Sequence, residues 1–187
     1  MPKKLYGGWC YNAEQNCFAL VRTAGLLNPT ANDLLHYHFL INEKGEVVKG
    51  KYTPEDNDNC QDGKYAPHLG GGNTGCIGVA ICGMADYKGR HNRGKLQFNR
   101  KQFEACMQLC ADLCLKYNIP ITPKTVFTHY EFGKAHPKTS SAGKIDITFI
   151  PPYPDIKADD CGCFIRTKIL WYVKRRWITR MKNFLLN

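Results

Sequence analysis

Three residues in the second half of the chain have types and a spacing suited to metal-assisted hydrolysis: His129, Lys144 and Asp146. His129 follows the short apolar run Val126-Phe127-Thr128, so a strand would deliver it at its C-terminal end. A loop rich in Gly, Ser, Thr and Pro then leads to Gly143-Lys144-Ile145-Asp146. Zinc accepts imidazole nitrogen and carboxylate oxygen at about 2.0–2.2 Å, and its ligands often arrive from separate segments. In an extended stretch, residues 144 and 146 point to the same side. The Lys144 ammonium would then stand beside the Asp146 carboxylate, where it could donate to a developing oxyanion. The same spacing also suits a surface histidine and an ordinary Lys–Asp pair, and by itself it leaves both open.

The elements that must position these groups follow from the apolar pattern. Residues 3–10 suit a short first strand, and Ala13 to Leu27 a helix with Cys17, Phe18, Leu20, Val21 and Leu26 as its apolar positions. Leu35 to Ile41 reads as a buried strand that turns at Asn42-Glu43-Lys44-Gly45 into Glu46 to Lys49, a β-hairpin. Residues 53–63 are acidic and polar, as in a surface loop, and 84–97 are loop as well. The glycine-rich stretch Leu69 to Gly75 lacks a Gly-Lys-Ser/Thr ending and precedes a strand, so phosphate binding is not expected. Cys76 to Cys82 is short and apolar throughout, the signature of a central strand buried on both faces. Asn99 to Tyr117 is the clearest helix, with Phe103, Met107, Cys110, Leu113 and Cys114 on one face. The fold class expected is α/β, a mixed central β-sheet flanked by helices, plus a C-terminal amphipathic helix. The division is 1–157 for the body and 158–187 for the basic helix.

Four ordered segments resemble the type 2 N-acetylmuramoyl-L-alanine amidases, the family that includes phage lysozyme-type amidases and peptidoglycan-recognition proteins. They are Tyr37-His38-Phe39-Leu40-Ile41 with Lys44-Gly45-Glu46-Val47, Ala66-Pro67-His68 with Gly72-Asn73, Ile77-Gly78-Val79, and Thr128-His129 with Gly143-Lys144-Ile145-Asp146-Ile147. The resemblance implies that His129 and Asp146 are zinc ligands and that Lys144 stabilises the tetrahedral intermediate. It also implies that Tyr37 orients or activates the zinc-bound water, and that His68 and Asn73 line the groove for the glycan-linked peptide. Zinc lowers the pKa of bound water toward ~7 and polarises a carbonyl. The function so implied is a zinc-dependent hydrolase cleaving the amide between N-acetylmuramic acid and L-alanine in peptidoglycan, as an endolysin does. The alternative is an amidase-fold module with a degenerate metal site that binds muropeptide or another ligand without cutting it. The family has a third zinc ligand, a His at the end of the first strand. No His precedes His36 in this chain, and Cys10 is the nearest candidate, a thiolate being a competent zinc ligand.

Composition bounds the rest. The chain has 187 residues, 43% of them hydrophobic and 12% aromatic, enough for one domain with a proper core. No apolar run approaches the roughly 18–20 residues needed to cross a bilayer, and no secretory signal is visible. Cytoplasmic synthesis is expected, with action at the bacterial cell wall for an endolysin. Cys106, Cys110 and Cys114 stack on one helix face, where parallel Cβ vectors disfavour disulfides, so the ten cysteines read as mostly free thiols. From Phe164 onward there are seven Lys or Arg and no acid, out of a net charge of +10. Apolar positions at Ile165, Ile169, Leu170, Val173, Trp177, Met181, Phe184 and Leu185 recur at helical spacing, with basic residues expected on the opposite face. Such a helix suits an anionic membrane surface. Nucleic acid is disfavoured as a partner, since no base-stacking module accompanies the charge.

Overall fold

A computed structural model of the chain describes residues 17–23 and 25–185. The strand expected at 3–10 and the candidate ligand Cys10 lie outside them. The sheet has five strands: β1 (Cys17–Arg22), β2 (Phe39–Ile41), β3 (Val47–Lys49), β4 (Cys76–Ile81) and β5 (Val126–Thr128), in the order β3-β2-β4-β1-β5. β1 runs parallel to both β4 and β5, β2 is parallel to β4, and only the β2–β3 hairpin is antiparallel. Four helices accompany it: α1 (Ala31–His36), α2 (Arg100–Lys116), α3 (His129–Ala135) and α4 (Cys161–Leu185). This is the mixed α/β sheet flanked by helices that the sequence predicts, with the C-terminal helix present.

The two faces of the sheet differ in bulk. Phe18, Leu20, Ile77, Val79 and Ile81 pack with α2 and the first half of α4 into the main core. That core holds Phe103, Met107, Cys110 and Leu113 of α2 and Ile165 and Ile169 of α4, and burial of such side chains contributes about 1.5–3 kcal/mol each. On the central strands β1 and β4, continued by Cys82, the alternate residues face the other way and are smaller: Ala19 and Cys76 in one cluster, Val21, Ala80 and Cys82 in another. Gly78 on that face has no side chain because the His68 ring lies against it, 2.5 Å from where a Cβ would stand. Small floor residues thus leave room for polar side chains above the sheet.

Three expectations change. The helix placed over Ala13–Leu27 is, in its described part, the strand β1. A run of consecutive apolar residues carries no period that separates helix from strand, and here hydrogen-bonding partners on both edges decide it. The strand expected from Leu35 begins only at Phe39, because the Thr30/Asp33 capping box starts a short helix that ends on Tyr37. The 53–63 loop is not wholly superficial, since Pro54 and Asn57 are buried within the first of its two short 3-10 turns, Pro54–Asp58. Asn57 earns that place: its amide donates to the carbonyls of Ala66 and Asn73 and its oxygen accepts from the Ala66 N–H. All nine cysteines among the described residues are free thiols, and those of α2 are buried along its inner face.

Candidate functional site

Strands β2, β4, β1 and β5 end at one edge of the sheet, and in open α/β sheets the crevice beyond such C-terminal ends is where ligands bind. His129 stands there as the first residue of α3, and not, as expected, at the head of a long loop. Thr128 caps that helix by accepting from the Glu131 N–H, while the Glu131 carboxylate accepts from the Thr128 N–H at 2.9 Å. Glu131 is gripped in turn by Arg166 of α4, in two bonds of 2.9 and 3.1 Å. Gly162 permits this, because a Cβ there would lie 2.0 Å from the carboxylate. The position of His129 therefore depends on α4, some 35 residues away in sequence.

The His129 imidazole is fixed at both nitrogens. Ser141 is fully buried, and its hydroxyl donates to the Gly70 carbonyl at 2.9 Å. It can therefore only accept from His129 Nε2–H, 3.1 Å away. That assignment leaves a lone pair on Nδ1, which faces Asp146 Oδ2 at 3.1 Å. Two acceptors so placed repel unless a proton or a cation lies between them. The glycine-rich loop has its physical role here. Cβ atoms at Gly70 and Gly71 would collide with Ser140 and Thr139, and one at Gly133 with the Ser141 carbonyl, so these glycines let the loop, α3 and the serine segment close on one another.

Asp146 does not lie on an extended stretch beside Lys144. Residues 145–148 form a turn, closed by Thr148 N–H donating to the Ile145 carbonyl, with buried Ile147 at φ +59°. A β-branched residue in that region is strained by roughly 1–3 kcal/mol, and strain of this kind gathers at working sites. The turn is braced by Thr148, whose hydroxyl meets the Tyr87 phenol at 2.7 Å. Asp146 is buried by it, whereas Lys144 is left exposed, lining a shallow depression with Tyr130 and Lys134.

Tyr37 reaches the same region as the C-cap of α1, packed with Val21, Leu40, Ala80 and Cys82. Burial first, and then the charges of Asp146, Asp33 and Cys82, push its phenol well above the ordinary value, so it keeps its proton at neutral pH. His68 is buried, its Nδ1–H donating to the Ala66 carbonyl at 2.8 Å. Its Nε2 is buried without a partner, and burial depresses its pKa strongly, helped by His38 and His129 nearby. Asn73 is half-buried, and its side-chain oxygen closes the 69–73 turn by accepting from the Leu69 N–H. The structure thus brings His129, Asp146 and Tyr37 to one edge. His68 sits beneath them on the sheet, Asn73 in the supporting loop, and Lys144 at the solvent rim. None of these lines a separate cavity of about 460 Å³ formed by Phe39, Tyr52, Leu109, Leu113 and Tyr117.

The resemblance implies zinc, and the His129–Asp146 pair fits such a cation. Two tetrahedral ligands at about 2.0–2.2 Å stand roughly 3.3–3.6 Å apart, close to the 3.1 Å between Nδ1 and Oδ2. Ser141 supplies the outer hydrogen bond that metal-binding imidazoles ordinarily make. A third donor is a different matter. Among the described residues no group of three or more His, Cys, Asp or Glu is placed to hold a metal ion. The end of β1, next to β5, carries Val21 on the Tyr37 side and then Arg22. The Arg22 guanidinium is buried, donates to the Gly83 carbonyl and lies about 5 Å from the Tyr87 and Phe98 ring centres. Burial lowers its pKa to about 10, partly offset by Tyr87 and Asp146, so it stays cationic and offers no lone pair.

The sequence does not single out Ser141, Glu131 or Arg166 as site residues. Only Glu131 left a signal, the Thr-x-x-Glu capping box at 128–131.

The sequence profile described as N-acetylmuramoyl-L-alanine amidase matches residues 10–144. No curated protein matches the chain. Among solved structures it is similar to the N-acetylmuramoyl-L-alanine amidase LysC from Clostridium intestinale URNW, at 18% identity over 70% of this chain and 80% of that one, with a TM-score of 0.45. PlyL is similar at 18% identity over 88% of this chain and 89% of that one, TM-score 0.48. The ectodomain complex of peptidoglycan recognition proteins LCa and LCx bound to tracheal cytotoxin gives 16% identity over 73% of this chain and 83% of that one, TM-score 0.45. With the profile spanning well over half of its length, this chain belongs to the N-acetylmuramoyl-L-alanine amidase family.

Proposed function

We propose that this chain acts on peptidoglycan as an N-acetylmuramoyl-L-alanine amidase, with His129 and Asp146 as donors to a zinc ion. The observation that supports this is the pair of facing acceptors, Nδ1 and Oδ2 at 3.1 Å, held that way by Ser141. Zinc there would supply a Lewis acid and a water of lowered pKa. The chain's own groups divide the remaining work. Ser141 keeps the Nε2 proton in place and the imidazole turned toward Asp146. Tyr37, holding its proton, donates to charge developing on the scissile amide oxygen. Lys144 gives the rim a cation for the incoming substrate, and His68 and Asn73 set the floor and wall of the groove. The body over 1–157 carries this chemistry, and the basic segment 158–187 brings it to the cell envelope.

A second reading, binding of muropeptide without cleavage, is favoured by the end of β1, where neither Val21 nor the cationic Arg22 offers a metal a donor. One experiment separates them. Full-length protein is purified without chelator, its zinc is measured by mass spectrometry, and peptide release from peptidoglycan is followed by chromatography. About one zinc per chain is expected, with release abolished in His129→Ala and Asp146→Ala. Zinc-free protein that sediments with peptidoglycan and releases nothing would overturn the amidase reading and leave the binding one.

A further inference from the structure

Helix α4 is apolar on two sides, and only one of them is covered. Its inner side, Cys161, Ile165 and Ile169, is at most 2% exposed against α2 and the sheet. Three of its basic residues also turn toward the body. Arg166 pairs with Glu131 at 2.9 Å, Lys168 with Glu104 at 2.8 Å and Arg176 with Asp112 at 2.6 Å. The basic outer face expected from the sequence is thereby dismantled, because those charges serve to fasten the helix down.

The outward side is left with large apolar groups. Leu170, Trp177, Ile178 and Met181 are 43%, 55%, 54% and 61% exposed. Their offsets of seven, eight and eleven residues from Leu170 place them on one face of the helix. At 1.5 Å per residue the stripe runs about 16 Å. Lys174 lies within it, and Trp171, 46% exposed, stands at its border with the Arg175 guanidinium 4.6 Å from its ring centre. The helix contains no acidic residue. No helix among the described residues is long and apolar enough to cross a membrane, so the stripe suits lying in a membrane interface and not spanning it.

We propose that this outward stripe of α4 docks on an anionic lipid surface, with the helix lying flat and Trp177, Ile178 and Met181 entering the headgroup boundary. The charge argues for this occupant: Lys174 lies in the stripe, Arg175 stands beside it against Trp171, and no acidic residue occurs from Phe164 onward, a balance complementary to anionic headgroups and opposed to the close approach of a second copy. The docking is independent of the muropeptide site, and vesicles free of peptidoglycan test it alone.

The full-length protein is mixed with vesicles of phosphatidylcholine, with or without 30% phosphatidylglycerol, and binding is read by co-sedimentation. Binding to the anionic vesicles is expected to exceed binding to the neutral ones at least tenfold and to weaken with salt. The triple variant Trp177→Ser, Ile178→Ser, Met181→Ser, checked for its fold by circular dichroism, is expected to lose at least tenfold in binding. Lys174→Glu is expected to weaken binding to the anionic vesicles alone. Equal sedimentation of wild type and triple variant would overturn the proposal. So would wild-type protein that ignores vesicles but forms a dimer the triple variant cannot form.

Discussion

Acidification from pH 7.5 to 5 should remove about 2 kcal/mol of stability through one buried histidine. His38 lies on the sheet at 1% exposure, with Nδ1 accepting from the Gly78 N–H at 2.8 Å and Nε2–H donating to Asn57 Oδ1 at 3.0 Å. The neutral Nε2–H tautomer is wired in, and a second proton on Nδ1 would confront a backbone donor. Burial accordingly lowers its pKa to about 4, against weaker raising effects from Asn57, Asp56 and Glu55. A histidine whose folded pKa is depressed contributes stability that is fully present above its unfolded pKa of about 6.5. That stability is lost as pH falls toward the folded value. Over the window from about 6.5 down to 5, at 1.36 kcal/mol per unit, the loss comes to about 2 kcal/mol. His68, buried beside it and depressed in the same direction, adds to the loss. The assay is urea unfolding at pH 7.5 and 5.0 for wild type and His38→Asn, whose side-chain oxygen can still accept from Gly78. The variant's stability should fall by about 2 kcal/mol less than that of wild type between the two pH values. Equal pH dependence of the two proteins, or a His38 ring that titrates above pH 6 by NMR in the wild type, would refute the reasoning.

Three further outcomes follow from the packing around the site. Ser141→Ala should weaken zinc affinity about 10–100-fold, measured by chelator competition, because the imidazole loses the group that fixes its tautomer. Gly78→Ala should destabilise the protein by about 1–3 kcal/mol in thermal unfolding, since the new methyl meets the His68 ring at 2.5 Å and neither strand nor ring has space to yield. Ile169→Ala, at a fully buried position of α4, should cost about 2–5 kcal/mol. If it costs less than about 0.5 kcal/mol by urea unfolding, α4 is not part of the folding unit.

Local chemistry made much of the fold legible. The all-apolar run at Cys76–Ile81 reads as the middle strand because a strand buried on both faces needs no alternation. The long helix α2 shows its inner face in its period, and its Asn99/Gln102 capping box marks where it starts. The run that forms β1 is equally apolar, yet its sequence suits a helix as well as a strand. An apolar run states that a segment is buried, but the neighbours at its edges decide whether it pairs as a strand.

The candidate site divides along the same line. Residue types nominate His129 and Asp146, because few side chains can bind a metal, and the family resemblance adds Tyr37. What each of them does depends on partners far away in the chain. Ser141 and Gly70 orient the imidazole, a strained turn at Ile147 buries Asp146 and leaves Lys144 outside, and Arg166 of α4 anchors the helix that starts at His129. The tail follows suit. Its composition announces a cationic, apolar helix, yet which side stays apolar toward solvent was decided by Glu131, Glu104 and Asp112, which draw three of its charges inward. Sequence alone determined which chemistry was available and which segments had to be buried, because those are properties of side chains and their local spacing. The tertiary structure decided orientation, protonation and exposure, because each depends on groups that only the completed fold brings within a few ångströms.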